Sequence, residues 1–231
     1  EIKQAEKILP KNNIYWCKSS LLLLNICKLI DFINKKITIN PHRSRDISAN
    51  VTRAKIMERD GILSYLKNAK LKVLVKKNLK INIERCSELS NKTNQFNSNY
   101  QRFKESDLRK NLKNKDYFLY EFTVSDIYSN SGIVAFVVVK VKNGITYVIE
   151  YVMSCRALGR GLEYIFLCEV IKRVNKEVYF LYKKRERNTP FINFIKEISL
   201  NKVNFKINEI NLKKLKNITK SYKKYTHVVG N

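Results

Sequence analysis

The feature that most constrains the fold is a change of pattern between residues 151 and 166, where the sequence is YVMSCRALGRGLEYIF. The first residues form a β-branched and aromatic run typical of a strand, and from Gly161 the apolar residues recur at helical spacing. Gly159 and Gly161, two of the six glycines in the chain, stand where the pattern changes. The sequence therefore predicts a strand that enters a helix through a glycine-containing turn.

The pattern around this turn predicts an α+β domain. The Asn143-Gly144 pair between two apolar runs predicts a hairpin, because both residues tolerate positive φ. Pro190 is placed to start a helix. In chain order, the expected elements are a strand pair or one bent strand at 71–84, helices at 85–96 and 104–115, strands at 116–126, 131–142 and 145–155, a helix at 161–175, a strand at 177–183, a helix at 191–198 and a strand at 201–208.

Residues 1–69 are expected to precede this domain, which would span 70–231, as an N-terminal helical extension. An apolar helix is predicted at 19–36, and residues 46–69 are expected to form a helix that connects to the domain. The apolar run at 19–33 is too short and too interrupted to span a bilayer, so we expect no association with a membrane.

The chain carries a formal net charge of +26 at pH 7, which would attract polyanions such as nucleic acid or phosphorylated molecules. The excess comes mostly from lysines dispersed among asparagines and isoleucines, and clusters of arginine with aromatic residues are scarce. We therefore favour a solvated basic surface over nucleic-acid binding. Residues 211–224 are the alternative, because they could form a basic amphipathic helix that binds DNA or RNA.

The cysteines argue against structural bridges and metal. The five cysteines are an odd set without C-x-x-C pairs, and only two histidines accompany them. This pattern supports neither a disulfide framework nor a zinc site. We therefore expect no metal, and a reduced, cytoplasmic setting.

The predicted turn has the composition of an anion site. It comprises Arg156, Ala157, Leu158, Gly159, Arg160 and Gly161. Its N–H groups would be unpaired at a helix N-terminus, where the helix dipole also favours negative charge. Its glycines would let a ligand approach closely, and its arginines would add charge where a pyrophosphate would sit. The alternative is a tight strand-to-helix turn with solvated arginines.

Four blocks of the sequence resemble a known family. They are KTNQFNSNYQRFKESDL (92–108), DIYSNSGIVAFVVVK (126–140), YVMSCRALGRGLE (151–163) and RNTPFINFIKEI (187–198). They are similar, in one register, to the successive blocks of the C-terminal GNAT-like region of FkbH-like proteins, and the predicted element order matches the GNAT acyltransferase fold. That family joins a haloacid-dehalogenase-type phosphatase domain to this region and takes part in making glyceryl or related acyl groups on acyl carrier proteins.

The resemblance implies a fold and a set of ligands. The fold would be a GNAT-like mixed sheet flanked by helices. The turn at 156–161 would hold the pyrophosphate of coenzyme A or the phosphopantetheine arm of a carrier protein, which carries the acyl thioester. The implied partners are an acyl carrier protein or a small-molecule acceptor.

The resemblance also implies site residues. Cys155 becomes a candidate acyl-accepting thiol, and the alternative is a buried cysteine that packs in the core. Glu163 would orient a substrate or complement the helix dipole. Five further residues match polar positions of the family and would line an acceptor pocket, or would form capping and turn hydrogen bonds. They are Thr93, Asn94, Gln95, Asn97 and Asn188.

Two departures from the family are visible. Ile195 follows Phe194 where the family and many active GNAT enzymes place a tyrosine that protonates the leaving thiolate, and a hydrocarbon cannot donate that proton. In addition, no D-x-D-x-T sequence occurs, so the phosphatase domain is expected to be missing from these residues.

Three functions follow from these observations. The leading hypothesis is an acyltransferase-like domain. An ordinary N-acetyltransferase is the near alternative, in which Glu150 would be the general base. The third is a catalytically degenerate module that docks a carrier protein, because acidic carriers would suit a basic surface.

Overall fold

The structure is a computed structural model that describes residues 41–174, 177–200 and 207–230. The helix predicted at 19–36 lies outside the described residues. From His42 onward the chain forms one compact unit, which therefore includes the predicted connector helix. None of the helices in the described ranges combines the length and the apolar composition that a bilayer span requires.

Seven strands of the described residues form one mixed sheet in the order β6-β5-β4-β3-β2-β1-β7. They are β1 (Leu71–Lys77), β2 (Tyr117–Ser125), β3 (Asn130–Lys142), β4 (Ile145–Met153), β5 (Val178–Leu181), β6 (Ile207–Glu209) and β7 (Thr226–Gly230). Neighbouring strands are antiparallel except for the parallel pairs β4–β5 and β1–β7. The expected fold class, an α+β domain with a mixed sheet flanked by helices, is confirmed.

Helices cover both faces of this sheet. They are α1 (Pro41–Asp60), α2 (Ile62–Ala69), α3 (Ile83–Lys92), α4 (Glu105–Lys113), α5 (Leu162–Ile171), α6 (Thr189–Ile198) and α7 (Leu212–Lys223). The larger core lies between the sheet and α2, α5, α6 and α7, and a smaller core lies under α3 and α4. Val137 belongs to the larger core and Val138 to the smaller one, as the alternation of side chains along a strand requires.

The predicted hairpin between β3 and β4 forms. Asn143 and Gly144 have φ values of 52° and 78°, the left-handed pair that a type I′ turn needs. Further along β4, a bulge at Ile149 shifts the register so that Glu150 lies opposite Val138. Residues that are paired across an antiparallel ladder share a face. Glu150 therefore points to the side of the sheet that α3 and α4 cover.

Three parts of the predicted element order were incomplete or wrong. The connector helix is divided into α1 and α2, because Gly61 adopts φ 79° between them. Residues 71–84 form the single strand β1, a 3-10 turn at Asn78–Lys80 and the start of α3, so the strand-pair alternative was wrong. The order also ended too early. The basic segment forms α7, and β7 follows it and pairs with β1 at the opposite edge from β6.

Candidate active site

The turn between β4 and α5 forms where the sequence predicted it. A single 3-10 turn at Cys155–Ala157 follows β4, and α5 begins at Leu162. Gly159 and Gly161 have φ values of 78° and 69°, in the left-handed region that favours glycine. Gly161 is the N-cap residue, and no side chain caps the helix. Within the described residues, the N–H groups of Gly159, Gly161 and Leu162 donate to no acceptor. Gly161 and Leu162 are buried, whereas Gly159 is exposed, so a ligand can reach the N–H of Gly159 in this arrangement.

Gly161 must also be a glycine because α7 crosses over the turn. A Cβ atom at this position would lie 2.5 Å from Cδ1 of Tyr222. The ring of Tyr222 also stacks on that of Tyr164, with centroids 5.9 Å apart. Gly159 differs, since a Cβ atom added at this position would have no other atom within 4 Å. Positive φ alone explains the glycine at 159.

The chain itself holds both arginines of the turn. Arg160 is 1% exposed, its Nη2 donates to the carbonyl of Arg156 at 3.1 Å, and its Nη1 lies 3.5 Å from Oδ2 of Asp126. Arg156 donates to Oδ2 of Asp46 on α1 at 2.5 Å. The charge that the two arginines were expected to add beside a pyrophosphate is therefore partly paired with carboxylates of the chain in this arrangement. Buried carboxylates nearby need cationic partners, and the arginines supply them.

These contacts belong to a buried ion cluster that fixes α1 against the turn. Arg53 donates to both carboxylate oxygens of Asp126 at 2.8 Å and to Asp46 at 3.2 Å. Both carboxylates are fully buried. With Arg156 and Arg160, three guanidinium groups face two carboxylates. The cluster therefore has an excess of one positive charge beside the turn.

Hydrogen bonds keep the carboxylates of this cluster ionised. Burial alone would raise the pKa of Asp46, but hydrogen bonds from Ser129 and Ser131 and the charge of Arg156 hold that pKa below its ordinary value. Burial would likewise raise the pKa of Asp126, and hydrogen bonds from Arg53 and other groups lower it below the ordinary value. Both aspartates are therefore charged at neutral pH.

Cys155 is exposed at the end of β4, immediately before Arg156. This position excludes the alternative of a cysteine packed in the core. Ala157 is buried and Leu158 is half-buried, so these two residues anchor the turn on the core while the thiol faces outward. A nucleophile must be accessible to react, and Cys155 meets that requirement.

The parallel strands β4 and β5 pair only over the first part of β4. Their register runs from Thr146 opposite Val178 to Val148 opposite Phe180. Beyond this point β4 continues for five residues, whereas β5 ends at Leu181. The two strands therefore leave a gap at the end of the sheet where the turn and Cys155 lie.

The chain's own residues 96–101, which we call the strap, lie in this gap. The N–H of Ser98 donates to the carbonyl of Tyr151, and the N–H of Met153 donates to the carbonyl of Phe96, both at 3.0 Å. On the other side, the N–H of Lys183 donates to the carbonyl of Ser98 at 2.8 Å. The strap is therefore bonded as a short strand between β4 and the residues that follow β5.

Phe96 anchors the strap in an aromatic cluster. Its ring centroid lies 5.1 Å from that of Tyr151 and 5.3 Å from those of Phe191 and Phe194. Ile195, which stands where the resemblance implied a tyrosine, is fully buried in the same core. Ile195 packs as a hydrocarbon and offers no proton to a leaving thiolate.

The residues predicted to line an acceptor pocket mainly hold the strap. Asn97 is buried; its Nδ2 donates to the carbonyl of Thr93 at 3.3 Å, and its Oδ1 accepts the N–H of Tyr100 at 2.8 Å. Asn188 is also buried and donates to the carbonyl of Lys183 at 2.9 Å. These contacts are the turn hydrogen bonds that the sequence left open as the alternative.

Three polar residues of this group remain: Thr93 is half-buried, and Asn94 and Gln95 lie on the surface. Asn94 is exposed, and its Oδ1 accepts a hydrogen bond from Arg102 at 2.5 Å. Gln95 is exposed as well.

Glu150 is buried beneath the strap. Its Oε2 accepts the N–H of Gln101 at 2.7 Å, and its Oε1 has no hydrogen-bond partner within the described residues. Burial raises the pKa of Glu150 to about 7, although the Gln101 bond and the charge of Arg102 act in the opposite direction. A carboxyl group with a pKa near neutrality can take up or release a proton at physiological pH.

Glu163 lies in the first turn of α5. Burial raises its pKa to about 7, and the negative charge of Glu197 adds to the shift. Its backbone carbonyl accepts a hydrogen bond from the hydroxyl of Tyr151 at 3.0 Å. Neither Glu150 nor Glu163 belongs, in the described ranges, to a group of three side chains that could hold a metal.

Sequence reasoning missed four residues that shape the site: Asp46, Asp126, Gln101 and Tyr222. Asp46 is 110 positions from Arg156 in the chain, so no local spacing connects them. Gln101 acts through its backbone N–H, which carries no residue-type signal. For Tyr222 the sequence held one indirect signal, the glycine at 161, which is compatible with the close approach of another side chain.

Comparisons with known proteins concern the fold. A similar solved structure is that of the PaiA N-acetyltransferase from Thermoplasma acidophilum in complex with coenzyme A. The two chains are 13% identical, and the match covers 48% of this chain and 70% of that chain with a TM-score of 0.35. No protein-family model matches the sequence, and no curated protein matches it.

Proposed function

We propose that this chain is an acyltransferase-like domain that takes an acyl group from the thioester of coenzyme A or of a carrier protein's phosphopantetheine arm. One observation carries the proposal. The exposed thiol of Cys155 stands just after β4, directly before a turn in which the N–H of the exposed Gly159 has no acceptor within the described residues. The turn would bind the phosphate of the arm, and this would place the thioester near the thiol.

The transfer step is a thioester exchange. The sulfur of Cys155 attacks the acyl carbonyl carbon, a new C–S bond forms, and the C–S bond to the arm breaks. The arm leaves as a thiol that carries the proton lost by Cys155, so the step needs no oxidant or reductant. A glyceryl-like acyl group of the FkbH type is supported by the four sequence blocks alone.

The phosphate site is tested by a pair of substitutions at one position. Asn and Asp both tolerate the left-handed φ of Gly159, and the space around it is open. In isothermal titration with acetyl-coenzyme A, we expect Gly159→Asp to bind at least tenfold more weakly than Gly159→Asn, because only the aspartate repels phosphate. Equal binding by the two variants would contradict a phosphate site at this turn.

A basic surface supports an acidic carrier protein as the partner. The loop after β5 exposes Lys183, Lys184, Arg185 and Arg187. It touches the strap through Lys183 and therefore lies at the opening of the gap. Acidic proteins are attracted to such a surface, and the attraction weakens as salt screens it. We expect the affinity for a phosphopantetheinylated carrier to fall with ionic strength more steeply than the affinity for the free arm.

Glu150 favours an N-acetyltransferase as the second candidate. Its raised pKa suits a general base, and it faces the side of the sheet covered by α4. A groove of 760 Å³ on that side is lined by Gln101, Phe103, Asp107, Lys110, Asn111, Lys113, Asn114 and Tyr117. In this mechanism an amine acceptor would lose its proton to Glu150. Acetyl transfer to amines that Cys155→Ala retains and Glu150→Gln loses would support this candidate over the first.

A catalytically degenerate docking module is the third candidate. It is favoured by the buried Ile195 and by the strap, which leaves no open path along β4 in this arrangement. Such a module would bind the carrier protein without ever carrying its acyl group. Carrier binding without acylation of Cys155 would favour it.

A further inference from the structure

The strap occupies the groups of β4 that an arm would need. An extended chain with amide groups binds to a strand by pairing with its free N–H and C=O groups. At the end of β4 these groups are the carbonyl of Tyr151 and the N–H of Met153, and both are bonded to the strap at 3.0 Å. The pantetheine part of an arm is such an amide-bearing chain. The arm and the strap cannot use these groups at the same time.

The strap also covers Glu150. The N–H of Gln101 donates to its carboxylate, and the side chain is fully buried. A substrate cannot reach Glu150 while this bond and the rest of the strap are in place. A movement of the strap would therefore open the gap and uncover the carboxyl group in one step.

The backbone around the strap is under strain. Tyr100 and Arg102 have φ values of 55° and 54°, a left-handed conformation that residues with a side chain seldom adopt. Gln101, which binds Glu150, lies between them. This strain favours release of the segment, whereas the burial of Phe96 among aromatic rings opposes it.

From these contacts, and resting on the proposed function, we propose that the strap is a displaceable self-inhibitory segment. The arm of an acyl thioester replaces residues 96–99 along β4, and Gln101 then leaves Glu150. Only molecules with an open strap can bind the arm. The apparent affinity for the arm is therefore the affinity of the open form multiplied by the fraction of molecules that are open. The strap thus regulates access to the site, in addition to the turn hydrogen bonds that its residues make.

A disulfide that locks the strap tests this proposal. Asn97 and Val152 are paired residues between the strap and β4, and the two flanking backbone bonds make them a non-hydrogen-bonded pair. Such pairs have Cα atoms about 4.5 Å apart, within the range that a disulfide spans. The double variant Asn97→Cys, Val152→Cys is made with Cys155→Ser, so that no third thiol competes nearby. The same protein after reduction is the matched control.

The binding of acetyl-coenzyme A and of phosphopantetheinylated carrier is measured for both forms by titration. We expect the oxidised form to bind at least tenfold more weakly than the reduced form, because the two forms carry the same substitutions and differ only in whether the strap can move. Equal binding by the oxidised and reduced forms would overturn the strap proposal and leave the proposed function intact. Absence of binding by the wild-type chain would overturn the proposed function and the strap proposal together.

Hydrogen exchange of the wild-type chain gives a readout that needs no substitution. With saturating acetyl-coenzyme A, the N–H groups of Ser98 and Gln101 should exchange faster, because they lose their partners on β4. The N–H groups in the middle of β2 serve as the internal control and should not change. If the ligand binds while Ser98 and Gln101 exchange more slowly or at the same rate, the strap is not displaced.

Discussion

At the scale of single residues, Gly159 and Gly161 are glycines for different reasons. Both have positive φ, but only Gly161 faces a neighbour, Tyr222. We expect Gly161→Ala to lower the free energy of unfolding by about 3 kcal/mol, from left-handed strain together with overpacking. Gly159→Ala should lower it by about 1 kcal/mol, from strain alone. Urea denaturation measures both, and equal losses would contradict the contact with Tyr222.

Glu150 predicts how stability depends on pH. Burial holds its pKa at about 7, above the ordinary value of 4.5. Between pH 4.5 and pH 7, Glu150 is therefore protonated in the folded protein but ionised in the unfolded chain. The contribution of Glu150 to stability is therefore present in full below pH 4.5 and is lost as the pH rises through 7.

Glu150→Gln removes this pH dependence because the amide is always neutral. We expect the free energy of unfolding of the variant, relative to wild type, to rise by about 3 kcal/mol between pH 4.5 and pH 8, at about 1.4 kcal/mol per pKa unit. Denaturant titrations across this range measure the difference. A difference that stays constant with pH would show that Glu150 is not buried as described.

At the scale of elements, the ion cluster determines how α1 is held. Arg53 is 1% exposed and binds both Asp46 and Asp126. Its removal takes from Asp126 the partner that binds both of its carboxylate oxygens and from Asp46 one of two arginines, so we expect Arg53→Ala to lower the free energy of unfolding by about 3–5 kcal/mol. Arg59 pairs with Asp60 on the same helix but is 77% exposed, and Arg59→Ala should cause no measurable change. Similar losses for both variants would contradict the role of the cluster.

The sequence predicted elements whose signals are local. The hairpin followed from Asn143-Gly144, and the turn before α5 followed from a change of hydrophobic period between two glycines. β7 was missed because its five residues pair in parallel with β1, more than 150 positions earlier in the chain. The strap was also missed. Its hydrogen bonds to β4 join backbone groups that are more than 50 positions apart, and backbone groups are the same whatever the residue type.

At the scale of the whole molecule, the C-terminal segment connects the two edges of the sheet. After β6, at one edge of the sheet, the chain forms α7, which packs against α5. It then forms β7 at the other edge. Lys223 of α7 binds Glu169 of α5 at 2.8 Å, and Tyr222 covers Gly161. The turn therefore lies between α1, which binds Arg156, and α7. Of its groups, the N–H of the exposed Gly159 and the thiol of Cys155 are accessible to a ligand in this arrangement.

The most direct test of the proposed function is intact-mass spectrometry of the chain after incubation with carrier protein loaded with an acetyl or a glyceryl group. We predict a mass increase equal to one acyl group, located at Cys155 by peptide mapping, together with release of the free thiol of the carrier. The variant Cys155→Ala should show no increase. If the wild-type chain binds the carrier but gains no mass, or if Cys155→Ala gains as much as wild type, transfer to Cys155 is contradicted.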